Sequence, residues 1–308
     1  MNAAATRSPR TRNVPSGTEY HQALAGPRRR IARGLLAIGL LVAGMAVSAL
    51  LLSAAAMWLE GIVRPDAVSD EPMNSPFVAG AGLIAVALLV PWSIAIQRWL
   101  YGVGRGSMHS VLGRFRFDLF GRALVMIVPL FAIALSVQEF TSPADSVTWA
   151  RGDLLAMFLM TVLLVPLQAA GEEYGFRGLI LRVAGSWVRG RIPALVLGIG
   201  VSALAFAMLH AAPDPGWNLF YLVVSVATGL VTWRTGGLEI AVLIHASFNV
   251  FYFSFGLVPQ ADLAERFDRS AGAMTPSLFI PATLALALVT AVVWLRTRRT
   301  GPVTAPTT

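Results

Sequence analysis

The stretch GLLAIGLLVAGMAVSALLLSAAAMWL, residues 34–59, runs for 26 residues without a charge. About 20 apolar residues span a bilayer as a helix, and a cleavable signal peptide carries an apolar core of only about 7–15. The stretch therefore reads as an uncleaved first transmembrane helix. Working outward, similar runs recur at roughly 77–97, 117–138, 154–171, 192–211, 217–233, 238–257 and 277–295. The expected fold class is all-α, a polytopic membrane helix bundle of about eight transmembrane helices. Composition agrees. Of 308 residues 56% are hydrophobic and 13% charged, about half the charged share of a soluble domain, and the mean hydropathy is +0.67. With no cysteine, a disulfide framework, thiolate metal sites and cysteine nucleophiles are excluded.

The net charge of +8 comes from 24 Arg, with no Lys, against 16 acids. Its distribution points to membrane topology and anionic lipid, not to nucleic acid. With the N-terminus inside, seven Arg fall in the first 33 residues, five in 98–122 and four in 172–191. Arg234 adds one, and Arg296, Arg298 and Arg299 add three. That leaves four Arg on the opposite side, together with 11 of the 16 acids. An even number of spans with both termini cytoplasmic follows, in a multi-pass protein of a bacterial type of plasma membrane. Residues 1–33 read as a disordered basic tail. Residues 34–150 hold the first three helices, 151–257 the region with the chemistry, and 258–308 a last loop, a final helix and a basic tail.

Ionisable groups inside spans are costly and mark function by default. Glu172 and Glu173 close the fourth run, in Gly171-Glu-Glu-Tyr-Gly-Phe-Arg177; His210 closes the fifth; His245 and Asn249 sit within the seventh. Glu239, near the cytoplasmic start of the seventh, is expected to snorkel to the headgroups. His21 and His109 fall in polar segments and receive no role. His245 and Asn249 are i, i+4 and share one helix face. Glu173 and Arg177 have the same spacing, suited to an ion pair, while Glu172 points about 100° away from Glu173. A carboxylate, two imidazoles and a carboxamide make a hydrolytic set: the carboxylate takes a proton from water, an imidazole orients that water, and His or Asn donates to the oxyanion.

These residues resemble a known family. Glu-Glu-x-x-x-Arg, Phe-x-x-x-His and His-x-x-x-Asn, in this order over about 155–255, are similar to the motifs of the CAAX prenyl protease and bacteriocin-processing intramembrane proteases, including the type II CAAX endopeptidases. The Phe-Arg-Gly tail of the first motif is present at Phe176-Arg177-Gly178. The resemblance implies a membrane-embedded endopeptidase acting on a membrane-associated peptide or protein. By position it makes Glu172 the general base and His210 its partner in activating water. His245 and Asn249 would stabilise the oxyanion, with Glu173 and Arg177 as structural support.

The cofactor stays open at this level. Members of this family are often labelled metalloproteases, and Glu172, His210 and His245 could ligate zinc with one position open; a metal-free glutamate mechanism is the slightly favoured expectation. The zinc motif His-Glu-x-x-His, the serine motif Gly-x-Ser-Gly and the aspartyl motif Gly-x-Gly-Asp of other intramembrane proteases are absent. Two other function classes compete: a non-catalytic bacteriocin-immunity or scaffold protein of the same fold, and a proton-coupled transporter. The transporter would show inverted repeats, whereas the polar residues cluster in one half of the chain. Depth imposes a condition. On straight helices Glu172 and His210 fall at opposite faces, so a shared site requires a fourth helix bent near Pro166 or continued beyond Glu172 towards Ser186.

Overall fold

The computed structural model describes residues 12–65, 75–143 and 145–306. Among these, eight helices are long and apolar enough to cross a membrane, one for each expected run. They are α1 Ile31–Val63, α2 Pro76–Tyr101, α3 Phe117–Thr141, α4 Arg151–Gly185, α5 Arg191–His210, α6 Pro215–Thr235, α7 Glu239–Leu257 and α8 Pro276–Thr297. α1 is peripheral and turns Leu50 and Trp58 outward, each 70% exposed, as a lipid-facing helix should. α7 is central and packs against α3, α4 and α6.

Local chemistry sets the helix ends. Ser75 caps α2 by accepting from Val78 N, with Pro76 in the first turn. Asp214 caps α6 by accepting from Trp217 N at 3.0 Å, followed by Pro215. Each pairing satisfies a backbone donor that the first helical turn leaves over. α2 and α6 stop at Gly102 and Gly236, both left-handed, with φ of 65° and 67°, a conformation glycine adopts without steric cost.

The connections respect an alternating, eight-span order. Three isolated β-bridges join segments on the side of the termini: Arg12 with Val103, Glu19 with Thr304, and Ser110 with Gly237. A fourth, Ser146 with Ala261, joins two connections on the other side.

Three expectations need correction. From residue 12 the N-terminal segment is ordered rather than a loose tail; residues 1–11 lie outside the described residues. Tyr20 and His21 are fully buried, and Ala305 N donates to Thr18 O, so the two terminal segments hold each other. His21 and His109 also have structural partners, Arg191 O for the first and the Tyr174 hydroxyl for the second. Glu239 does not snorkel. It is fully buried and receives Arg116 through Nε at 2.9 Å and a terminal nitrogen at 2.6 Å. That two-point fork replaces the water the carboxylate gives up.

Candidate active site

α4 meets the depth condition by continuing beyond Glu172, and its regular turns are interrupted next to Pro166. They break at Leu164, and a new segment, Val165–Glu173, begins with Pro166 in its first turn. Proline lacks the N–H that would continue the ladder, so the axis can bend there. The helix then continues past Glu172 to Gly185. Ending the span at residue 171 was therefore wrong. Glu173, Arg177 and Arg182 interrupt the apolar run in sequence, yet all three are fully buried, and the helix carries them inside the protein.

Residues Tyr174–Ile180 form a π-helical segment, a widened turn often found at functional sites. Ser202 Oγ of α5 donates to Phe176 O at 3.0 Å and satisfies one of its carbonyls. Gly171 brings α4 against α2 so closely that a Cβ there would sit 2.0 Å from Val86 O. This contact fixes the height at which Glu172 and Glu173 leave the helix.

The polar groups form a connected chain. Arg177 approaches Glu173 Oε1 at 3.1 Å, and His245 Nδ1 lies 2.8 Å from that same oxygen. His245 Nε2 faces Glu172 Oε2 at 3.3 Å. Gln168 Nε2 donates to Glu172 Oε1 at 2.8 Å, and Asn249 Nδ2 donates to Gln168 Oε1 at 3.0 Å. His245 thus stands between two carboxylates. A ring that carries both protons donates to both of them.

Glu172, His210, His245 and Asn249 all line one cavity of about 590 Å³. Its walls are mostly aromatic and aliphatic, with Phe206, Trp217, Phe220, Tyr221, Phe248 and Tyr252 among them. His210 joins the cavity apart from the carboxylates. Its Nδ1 donates to Phe206 O at 2.8 Å, so in the neutral ring Nε2 is the acceptor. Its ring lies against Tyr221, with centroids 4.1 Å apart. The expected pairing of Glu172 with His210 is therefore not direct: the imidazole that touches Glu172 is His245.

The zinc set fares similarly. Among the described residues no three His, Asp or Glu side chains gather to hold a metal ion. Glu172, His210 and His245 share a cavity without closing on one point, so they do not fit a zinc ion as placed.

Several site residues escaped the sequence reading. Gln168 was legible, being i, i+4 from Glu172 on a helix. Tyr221 and Arg269 were not. Arg269 lies 3.6 Å from the Trp217 ring centroid and donates through Nε to the Tyr221 hydroxyl at 3.0 Å. Its loop is tied to the start of α6 by Asp214, which accepts from Gly272 N at 2.7 Å. Backbone donors, Trp217 N foremost, hold the Asp214 carboxyl below the usual carboxylate range.

Compared with known families, residues 152–251 match the type II CAAX prenyl endopeptidases described as Rce1-like. The match contains all seven residues of the three motifs. Comparisons with curated proteins and with solved structures give no match.

Proposed function

We propose that the chain is an intramembrane endopeptidase with Glu172 as general base, a reading supported by the match of residues 152–251 to the Rce1-like type II CAAX prenyl endopeptidases. Its substrate is a membrane-associated protein or peptide. One observation carries the reading. The Glu172 carboxylate, held on one oxygen by Gln168 and facing His245 with the other, borders an apolar cavity that also presents His210 and Asn249.

The chemistry follows from the groups present. A water in the cavity is oriented by the His210 Nε2 acceptor and gives its proton to Glu172 as its oxygen attacks the scissile carbonyl carbon. The second N–H of Asn249, and His245 Nε2 once it turns from Glu172 as that carboxyl takes up the proton of water, donate to the developing oxyanion, where each donor contributes about 2.7–4 kcal/mol. The C–N bond then breaks. The proton taken from water passes to the leaving nitrogen, giving a new carboxyl and a new amino terminus. Glu173 and Arg177 hold His245 in place without touching substrate. This is a glutamate-type mechanism carried by the chain's own residues.

The test compares the protein termini of membranes from cells expressing the wild type with those expressing Glu172→Gln. Termini found only with the wild type support the reading. Identical termini, with both proteins equally abundant, would count against it.

A further inference from the structure

We propose that the catalytic cavity opens to the extracytoplasmic side, and that its substrates are segments of exported or membrane-anchored proteins presented from the outer leaflet. The substrate class rests on the hydrolytic reading above; the sidedness does not.

Most of the cavity wall comes from the half of the bundle remote from the chain termini, and Glu172, Ile244 and His245 lie just to the terminal side of the midpoints of α4 and α7. α1, which starts on the terminal side, contributes Ser53 from its second half, and α2, which runs the opposite way, contributes only its first half, from Val78 to Val86. α5 contributes its last turn, with His210, and α6 its beginning, with Trp217. The connection between α7 and α8, on the side remote from the termini, contributes Phe267 and Arg269. No residue of the described terminal-side connections, 102–116, 186–190 or 236–238, reaches the cavity.

On the terminal side the bundle is closed beneath the catalytic groups. Arg177, Leu179, Ile180 and Met108 are all fully buried there, and the Tyr20 hydroxyl of the N-terminal segment donates to Met108 O. A peptide approaching from that side meets packed core.

The charge pattern then names the sides. By the order of the spans in the sequence, 20 of the 24 Arg belong to segments on the terminal side and 11 of the 16 acids to segments on the other. Arg and Lys mark the cytoplasmic side of membrane proteins. The cavity mouth is therefore extracytoplasmic. Peptides prenylated and held in the cytoplasm would face the closed end.

The chain has no cysteine, so single cysteines report position without background. Ser53→Cys and Ala79→Cys place thiols on the cavity wall, and Ser186→Cys places one on the terminal side; none is in the catalytic machinery. The full-length variants are expressed in bacterial spheroplasts and treated with a membrane-impermeant sulfonated maleimide, before and after lysis. Both cavity cysteines should react in intact spheroplasts, and Ser186→Cys only after lysis. Cavity cysteines that react only after lysis, or not at all, overturn the proposal, as does Ser186→Cys reacting from outside. The positions of the new termini from the Glu172→Gln comparison separate the two claims. Cleavage confined to cytoplasmic segments overturns the sidedness and leaves proteolysis standing. External labelling without cleavage leaves the sidedness standing and removes proteolysis.

Discussion

His245 Nδ1 lies 2.8 Å from Glu173 Oε1, on the oxygen that Arg177 also approaches. Adjacent carboxylates on one helix thereby take different tasks. Glu173 is sealed inside the protein, neutralising Arg177 and orienting the imidazole, while Glu172 borders the cavity.

The two carboxylates should therefore fail differently. Glu173→Ala leaves Arg177 buried without a countercharge, at a cost of about 3–5 kcal/mol. It should lower thermal stability and yield in detergent as well as activity. Glu172→Gln keeps shape and the Gln168 contact, so it should match the wild type in melting temperature and lack activity. Equal stability of both variants, with activity lost only in Glu173→Ala, would reverse the assignment.

The approach of α4 to α2 gives a second expectation. In Gly171→Ala the new Cβ meets the Val86 carbonyl, backbone that cannot rotate away. Overpacking of this kind costs about 1–3 kcal/mol, and the shift of α4 should reduce activity too. Gly200→Ala, inside α5 with nothing within 4 Å of the added carbon, should be neutral or stabilising by up to about 1 kcal/mol. Melting temperatures of the purified variants check the contrast.

The spacing of the carboxylates and imidazoles bears on the metal. His245 has both ring nitrogens directed at carboxylates, so a zinc ion would have to displace one of those contacts. Activity should survive chelators, and active protein should contain far less than one zinc per chain. Stoichiometric zinc, lost together with activity in His245→Ala, would contradict this.

pH should act on the N-terminal segment through His21. Burial pushes its imidazole below the usual 6.5. The unfolded chain then binds the proton more readily, so His21 contributes full stability above about pH 6.5 and loses it as pH falls towards the depressed value. Thermal stability should drop on acidification through this range. In His21→Gln the drop should be smaller; an unchanged profile would remove His21 as its source.

The fold was legible because lipid imposes long apolar runs, and all eight registered in the hydropathy of the sequence. The site was legible in part. Glu172, His210, His245 and Asn249 do share a cavity, and Glu173 does pair with Arg177. What was hidden is tertiary. Hydropathy ended the fourth span at residue 171 because a charge looks the same whether solvated or buried beside a partner. Arg116, which keeps Glu239 inside, is 123 residues away in sequence. His245 taking the place beside Glu172 depends on the break in α4 at Leu164 and the π-helical turn after Glu173, which fix where each side chain leaves its helix.

The most direct test of the central claim is hydrolysis in reconstituted liposomes, in ¹⁸O-enriched water, of a membrane segment identified from the comparison of termini. The wild type should cleave it and place one ¹⁸O in the new carboxyl terminus, Asn249→Ala should cleave it on the order of 100-fold more slowly, and Glu172→Gln should not cleave it. Cleavage by Glu172→Gln at the wild-type rate would contradict the account.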